Sequence, residues 1–180
     1  MNPVFRRFAV TSTIALGLVA SGLGAPSANA SSAEAGNGAT RVAVAPRVAK
    51  IITNAGIAAT PVGGAKAFGF EGTVALRFPI TKVSADGKRI SHSGGVKLAA
   101  GHEQLVLQRF RINLKRGYVS AIVNHGDRLA VFNLADSNRP KLGPVRLTLN
   151  KTSASAINGT FGVGVFKAGQ NFGFAKVNPA

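Results

Sequence analysis

The sequence predicts an all-β protein, an antiparallel β-sandwich or flattened barrel with two short helices. Three features favour this class. Apolar residues recur at every second position in several short segments, turns rich in glycine separate those segments, and helical periodicity occurs in only two places. Strands of this kind bury one face each, so a second sheet or closure into a barrel must cover that face.

The N-terminus has the features of a secretory signal peptide over residues 1–30. Two arginines precede an apolar stretch, and Ala28-Asn29-Ala30 supplies the small residues of a cleavage site. Residues 31–40 are typical of a flexible lead-in, and residues 41–180 are predicted to form a single β-domain. No later stretch is apolar enough to be a transmembrane helix. We therefore expect a secreted, extracellular product that is either released or associated with the cell wall.

Two segments have helical character. Pro46 is predicted to open a short helix that ends near Gly56, and residues 153–158 are the second candidate. The surroundings of the two candidates match at an offset of 104 positions: Asn54, Ile57 and Phe68-Gly69-Phe70 correspond to Asn158, Phe161 and Phe172-Gly173-Phe174. This repeat predicts two similar helix–strand units on either side of a central meander.

The first long strand is predicted over residues 74–80, where Val74, Leu76, Phe78 and Ile80 share a face. Because Pro79 has no backbone N–H, this strand is expected to lie at a sheet edge or to end there. Residues 90–98 are predicted as the next strand. The paired glycines in its middle indicate a bulge or a close backbone approach.

The apolar alternation changes phase near Gln108-Arg109, which predicts a β-bulge. Beyond it, Arg109 and Arg111 fall on the solvent face. Lys97 and Arg128 lie on candidate neighbouring strands and could extend these two arginines into one basic patch. Such a patch could bind carboxylates or phosphates through fork-shaped hydrogen bonds.

Charge is the strongest feature of the composition. The chain has 22 lysines and arginines against 6 acidic residues. Loss of the two arginines in the predicted signal peptide leaves a net charge of +14. This excess favours anionic partners outside the cell, such as acidic wall polymers, phospholipid headgroups or haem propionates, over nucleic acid. The alternative is that the charge only maintains solubility. With no cysteine, the chain has neither disulfides nor thiolate metal sites.

The sequence offers no recognisable catalytic constellation. The six carboxylates are spread thinly, and no nucleophile-elbow motif occurs. His92, His102 and His125 lack the spacing of a metal site. We therefore expect a protein that is not an enzyme and has no metal site.

Part of the chain resembles a known family. The segments Phe78-Pro-Ile-Thr, Ile90-x-His-Ser-Gly-Gly-x-x-Leu and Leu105-x-Leu-x-x-Phe-x-Ile-x-Leu are followed by two more short strands. This order resembles the HtaA-type domain of secreted actinobacterial proteins, which include haem-uptake proteins and uncharacterised single-domain relatives. The match is best over residues 78–134 and looser out to Val177. The resemblance implies a β-rich fold with short helices.

The resemblance also implies haem as a ligand. In such domains a tyrosine near the start of the domain ligates the iron and a histidine on a later strand supports it, and His92 falls at the histidine position. This sequence departs from the pattern, because its one tyrosine, Tyr118, lies in a later strand. Haem would then need His92 alone, Tyr118 from another direction, or no iron bond. A hydrogen-bonded structural role is the alternative for His92.

The sequence thus predicts a secreted, non-catalytic ligand-binding domain of HtaA type, with His92 and Tyr118 as candidate ligand-binding residues and haem as the candidate ligand. Two alternatives remain at this point. The protein could be a basic cell-envelope-associated protein that binds anionic wall polymers or phospholipid headgroups through Arg109, Arg111, Lys97 and Arg128, or it could be a purely structural module.

Overall fold

The computed structural model describes residues 38–179, so the predicted signal peptide and most of the predicted lead-in lie outside the described residues. The first strand begins at Ala39, two residues before the predicted start of the domain. The elements in chain order are β1 (Ala39–Val44), α1 (Pro46–Asn54), β2 (Ala58–Val62), β3 (Lys66–Phe70), β4 (Thr73–Val83), β5 (Arg89–His92), β6 (Gly95–Ala100), β7 (Glu103–Asn113), β8 (Tyr118–Val123), β9 (Arg128–Asp136), β10 (Val145–Leu149), α2 (Lys151–Phe161) and β11 (Asn171–Asn178).

Eight of the strands close into an antiparallel barrel. They follow the order β7-β5-β4-β1-β11-β10-β9-β8, and the β7–β8 pairing completes the circuit. The predicted class, mostly β with two short helices, is confirmed, and the barrel rather than the sandwich describes the architecture. A barrel of this strand number has an interior just wide enough to be filled by side chains.

The barrel wall divides where the paired glycines occur. β7 pairs with β6 along its first half and with β5 along its second half, so β5 and β6 are one strand interrupted at Ser93-Gly94. A side chain at Gly94 would meet backbone atoms of Ala65 and Gly63 at 2.6 and 2.8 Å. The predicted close backbone approach is therefore confirmed. β6 then pairs outward with β2, and β3 pairs with the first half of β4.

The predicted alternation of β4 holds for three of its four residues. Leu76, Phe78 and Ile80 are buried, whereas Val74 is 48% exposed at the start of the strand. The expectation that Pro79 marks an edge or an end is wrong, because β4 runs on to Val83 and is paired on both sides. Pro79 is tolerated because it lies in the gap between two partners. On that side β3 stops opposite Arg77, and β5 begins opposite Ile80.

Both predicted helices are present, and the second is longer than predicted. The Asn150 side chain caps α2 by accepting from the Ser153 N–H, and Gly162 ends it with a φ of 62°. Each copy of the repeat contains a helix followed by a strand, but in the first copy β2 forms between α1 and β3, whereas α2 is followed directly by β11. The strands around the two helices also pair differently. β10 and β11, which flank α2, are direct neighbours in the sheet, whereas β4 lies between β1 and β3. Among residues 38–179, neither helix is long and apolar enough to cross a membrane.

Candidate functional site

The structure places His92 inside the barrel, where it is 4% exposed. Its Nδ1 lies 3.0 Å from the carbonyl oxygen of Phe110, and its Nε2 lies 2.7 Å from Oγ1 of Thr40. A carbonyl can only accept, so Nδ1 carries the proton. Nε2 then accepts from the Thr40 hydroxyl. Both ring nitrogens of His92 are therefore occupied by hydrogen bonds within the protein.

Burial lowers the pKa of His92 below its ordinary value, and the hydrogen bond to Phe110 opposes this shift only in part. The charged imidazolium would lose its hydration inside an apolar barrel, which disfavours protonation. His92 is thus held as the neutral ring. Its geometry matches the structural role that was the alternative to iron ligation.

The cavity beside His92 is small and almost wholly apolar. It has a volume of about 80 Å³ and lies among inward-facing side chains of the barrel, with Ser153 and Ile157 contributed by α2. Pockets that enclose a drug-sized ligand measure roughly 300–1,000 Å³, and a porphyrin is no smaller than such a ligand. In the described conformation this cavity therefore does not fit haem.

A second concave site lies on the outer surface, and we call it the basic groove. It has a volume of about 530 Å³. Six basic residues line it: Lys88, Arg89, Arg111, Lys115, Arg116 and Arg128. The other lining residues are Asp86, Asn113, Tyr118 and Ser120.

The strand register explains why these residues meet. Ile90, Ile112 and Val119 lie side by side on β5, β7 and β8 and face the core. Side chains alternate along a strand, so their sequence neighbours face outward. Arg89, Asn113 and Tyr118 are direct cross-strand partners in one outward row, and Ser91, Arg111 and Ser120 form the next. The β4–β5 turn adds Lys88, the β7–β8 turn adds Lys115 and Arg116, and the start of β9 adds Arg128.

The predicted bulge shapes one side of the basic groove. Arg109 adopts a positive φ of 52°, and the β7–β8 register shifts between Gln108 and Arg111. The carbonyl of Arg109 accepts from Nη1 of Arg128 at 2.8 Å, and the same nitrogen lies 3.4 Å from the Ser120 hydroxyl. The bulge therefore holds the Arg128 guanidinium in place beside Arg111.

The electrostatics of the basic groove are unbalanced. The pKa of Arg128 is lowered by partial burial and by the positive charges of Arg111 and Arg109. Asp86 is the single acid of the groove lining. Its carboxylate accepts from the Ser84 hydroxyl and from the backbone N–H of Lys88, which lower its pKa. The positive charges of Arg109, Arg111 and Arg128 thus repel one another, whereas the carboxylate of Asp86 interacts electrostatically with Arg89 and Lys88.

The structure does not bring the predicted site residues together at one site. Tyr118, Arg111 and Arg128 line the basic groove, and Arg109 supports it through its carbonyl and its charge. Lys97 lies opposite Val106 on the β6 half of the sheet and does not line the groove. His92 lines the interior cavity, so the structure does not join it with Tyr118 in one pocket.

Sequence reasoning missed several members of these sites. Thr40 was not linked to His92, since 52 positions separate them. Arg89 and Arg116 were not assigned to the basic patch either. Arg89 precedes the strand predicted over residues 90–98, and only the observed pairing of β5 with β7 brings it beside Arg111.

No protein-family model and no curated protein sequence matches the chain. Among solved structures, the fold is similar to the crystal structure of the haem-binding protein HtaB from Corynebacterium glutamicum, with a TM-score of 0.51. The identity is 9%, and the match covers 78% of this chain and 91% of HtaB. At this identity the likeness concerns the fold.

Proposed function

We propose that this chain is a non-catalytic, exported binding domain whose basic groove holds a small anionic ligand bearing carboxylate or phosphate groups. The observation that carries the proposal is the meeting of Arg89, Arg111 and Arg128 at one concave surface that six basic residues line and that has Asp86 as its single acid. Export rests on the predicted signal peptide. The absence of a recognisable catalytic motif in the sequence supports a binding role.

An anion bound in the basic groove would reduce the electrostatic repulsion among its guanidinium groups. Guanidinium groups held close together repel one another, and each bonds a carboxylate or phosphate with two parallel N–H donors. The Asn113 side chain, the Tyr118 phenol and the Ser120 hydroxyl lie on the same surface and can add neutral hydrogen bonds. Such a site favours a compact, multiply charged ligand over a neutral one.

The direct test is calorimetric titration of the mature protein with pyrophosphate and with citrate at low salt. One variant, called the groove variant, carries Arg89→Gln and Arg111→Gln, which replace two exposed residues of the basic groove. The matched control carries Arg47→Gln and Arg139→Gln, which are exposed but do not line the groove. The proposal expects binding that the groove variant loses and the control retains. Equal weakening in both variants would contradict it.

Haem is a second candidate ligand, favoured by the similarity of the fold to that of HtaB. The interior cavity does not fit haem, because its volume is about 80 Å³ and both ring nitrogens of His92 are already hydrogen-bonded. The basic groove fits its charged part: Arg111 and Arg128 would hold the propionates, and the Tyr118 phenol is an oxygen group of the kind that can ligate haem iron. When bound, haem would supply iron chemistry, and this chain would supply binding and orientation.

A haem titration followed by absorbance separates these possibilities. If haem binds in the basic groove, Tyr118→Phe should abolish or shift the Soret band, whereas His92→Gln should leave it unchanged. Loss of the band only in the His92 variant would instead mean that the barrel opens around the histidine. Absence of any band in the wild-type protein would remove haem as a candidate and leave the anionic ligand.

A further inference from the structure

A second basic surface lies on a different wall of the barrel. Lys66 on β3 lies directly opposite Arg77 on β4. Arg77 in turn lies opposite Arg41 on β1, and Arg41 lies opposite Lys176 on β11. Four cations thus stand in one straight register line across four adjacent strands. We call this line the basic row. None of its members lines the basic groove, which is built on β5, β7 and β8.

All four side chains of the basic row point outward. Leu76 and Phe78, on either side of Arg77, line the interior cavity, as do Thr40 and Val42 on either side of Arg41. Alternation therefore directs Arg77 and Arg41 to the outer face. Lys66, Arg77 and Lys176 are exposed, and Arg41 is half-buried.

Like charges directly opposite each other on neighbouring strands destabilise a sheet. In the described part of the chain, no member of the basic row has a carboxylate partner. Arg41 instead lies over the ring of Phe70, 3.7 Å from its centroid, and donates to the carbonyl of Leu142 at 3.4 Å. Its Nε atom is buried and has no hydrogen-bond partner among the described residues. The row therefore places four positive charges side by side with no ion-pair partner among residues 38–179.

We propose that the basic row binds a linear phosphate polymer lying across the strands on the outer wall. Neighbouring strands are about 4.8 Å apart, so the four cations span roughly 14 Å around the barrel. A compact anion could reach only one or two of them. A flexible chain with repeated phosphates can follow the curved wall and meet all four. The surface is separate from the basic groove, so this proposal does not depend on the function proposed for the groove.

The experiment uses long-chain inorganic polyphosphate as the probe and the mature protein throughout. The row variant carries Lys66→Gln, Arg77→Gln and Lys176→Gln, and leaves the half-buried Arg41 in place. The matched control carries Arg47→Gln, Lys151→Gln and Lys167→Gln, which removes the same charge at exposed positions outside the row and the groove. Affinity is measured at several sodium chloride concentrations.

The proposal expects the row variant to lose at least tenfold in affinity and the control to stay near wild type. On a flexible chain each neutralised phosphate contributes about 0.7 to the salt slope, so that slope should become shallower by about 2 in the row variant. Equal losses in both variants would overturn the proposal, because net charge alone would then explain binding. Tighter binding of a single-stranded oligonucleotide of equal charge would also overturn it.

A melting experiment without the polymer checks the repulsion on which the argument rests. The row variant should be at least as stable as wild type at low salt, because it removes like charges that face one another. Polyphosphate should raise the melting temperature of wild type more than that of the row variant. A row variant that is clearly less stable than wild type would contradict the argument.

Discussion

The Thr40 hydroxyl donates to Nε2 of His92 across 2.7 Å inside the barrel, although the two residues are 52 positions apart in sequence. With the Nδ1–H of the same ring donating to Phe110, this contact ties β1, β5 and β7 together through one side chain. The pair lies beside an apolar cavity, so neither group could find water as a substitute partner without opening the barrel.

The stability of the domain should therefore depend on pH through His92. Its pKa is lowered in the folded protein by burial, whereas the unfolded chain has the ordinary value of 6.5. Below pH 6.5, His92 becomes protonated in the unfolded chain but stays neutral in the folded protein until the pH reaches its lowered pKa. The free energy of unfolding should then fall as pH decreases from 6.5 to the folded pKa, by at most about 1.4 kcal/mol per pH unit.

Urea denaturation at several pH values would measure this dependence, and His92→Gln is the control. In the His92→Gln variant the free energy of unfolding should no longer fall between pH 6.5 and the pKa of His92 in the folded protein, whatever the absolute stability of the variant. A wild-type slope that persists unchanged in the variant would assign the pH dependence to other groups.

Removing the Thr40 hydroxyl should cost stability without changing the size of the side chain. Thr40→Val leaves Nε2 of His92 buried without a donor, a penalty of about 1–3 kcal/mol. Thr40→Ser keeps the hydroxyl and should lose less. Chemical denaturation of both variants makes the comparison, and a Thr40→Val protein as stable as wild type would show that the contact contributes nothing.

Gly95 should not tolerate a side chain. An added Cβ would overlap the carbonyl oxygen of Leu107 and lie 2.6 Å from the Cβ of Gln108. Gly95→Ala is therefore expected to destabilise the domain by roughly 3 kcal/mol or more. Gly69→Ala is the matched control, because Gly69 lies in a strand with no atom within 4 Å of an added Cβ. Comparable melting temperatures for the two variants would refute the close approach.

The secreted product should begin at Ser31, because cleavage is expected after Ala28-Asn29-Ala30. Intact mass of material recovered from culture medium measures this directly. A product that retains Met1 would contradict the predicted signal peptide.

Much of the secondary structure could be predicted, because it depends on neighbours in sequence. The phase change at Gln108-Arg109 predicted the bulge, and Pro46 and Gly56 predicted the start and the approximate end of α1. Closure of the barrel could not be predicted in the same way. It depends on pairings such as β1 with β11, whose partners Ala39 and Asn178 lie at opposite ends of the domain.

The candidate site was predicted only in part, because some of its residues become neighbours through pairings of strands that are distant in sequence. Alternation put Arg109 and Arg111 on the solvent face, but Arg89 joins them only through the β5–β7 register. The basic row was invisible in the sequence, since Arg41, Arg77 and Lys176 become neighbours only when β4, β1 and β11 are placed side by side. The sequence predicted His92 as a candidate ligand-binding residue, and the structure shows it buried with both ring nitrogens hydrogen-bonded within the protein. Its partners, however, lie on strands distant in sequence.

The most direct measurement of the central claim, that the basic groove binds an anionic ligand, is chemical-shift mapping during a pyrophosphate titration of the mature protein. We predict saturable shifts concentrated at Arg89, Arg111, Asn113, Tyr118 and Ser120, which share the outer face of β5, β7 and β8. Shifts spread evenly over the basic residues of the whole surface, or shifts that do not saturate, would contradict the claim.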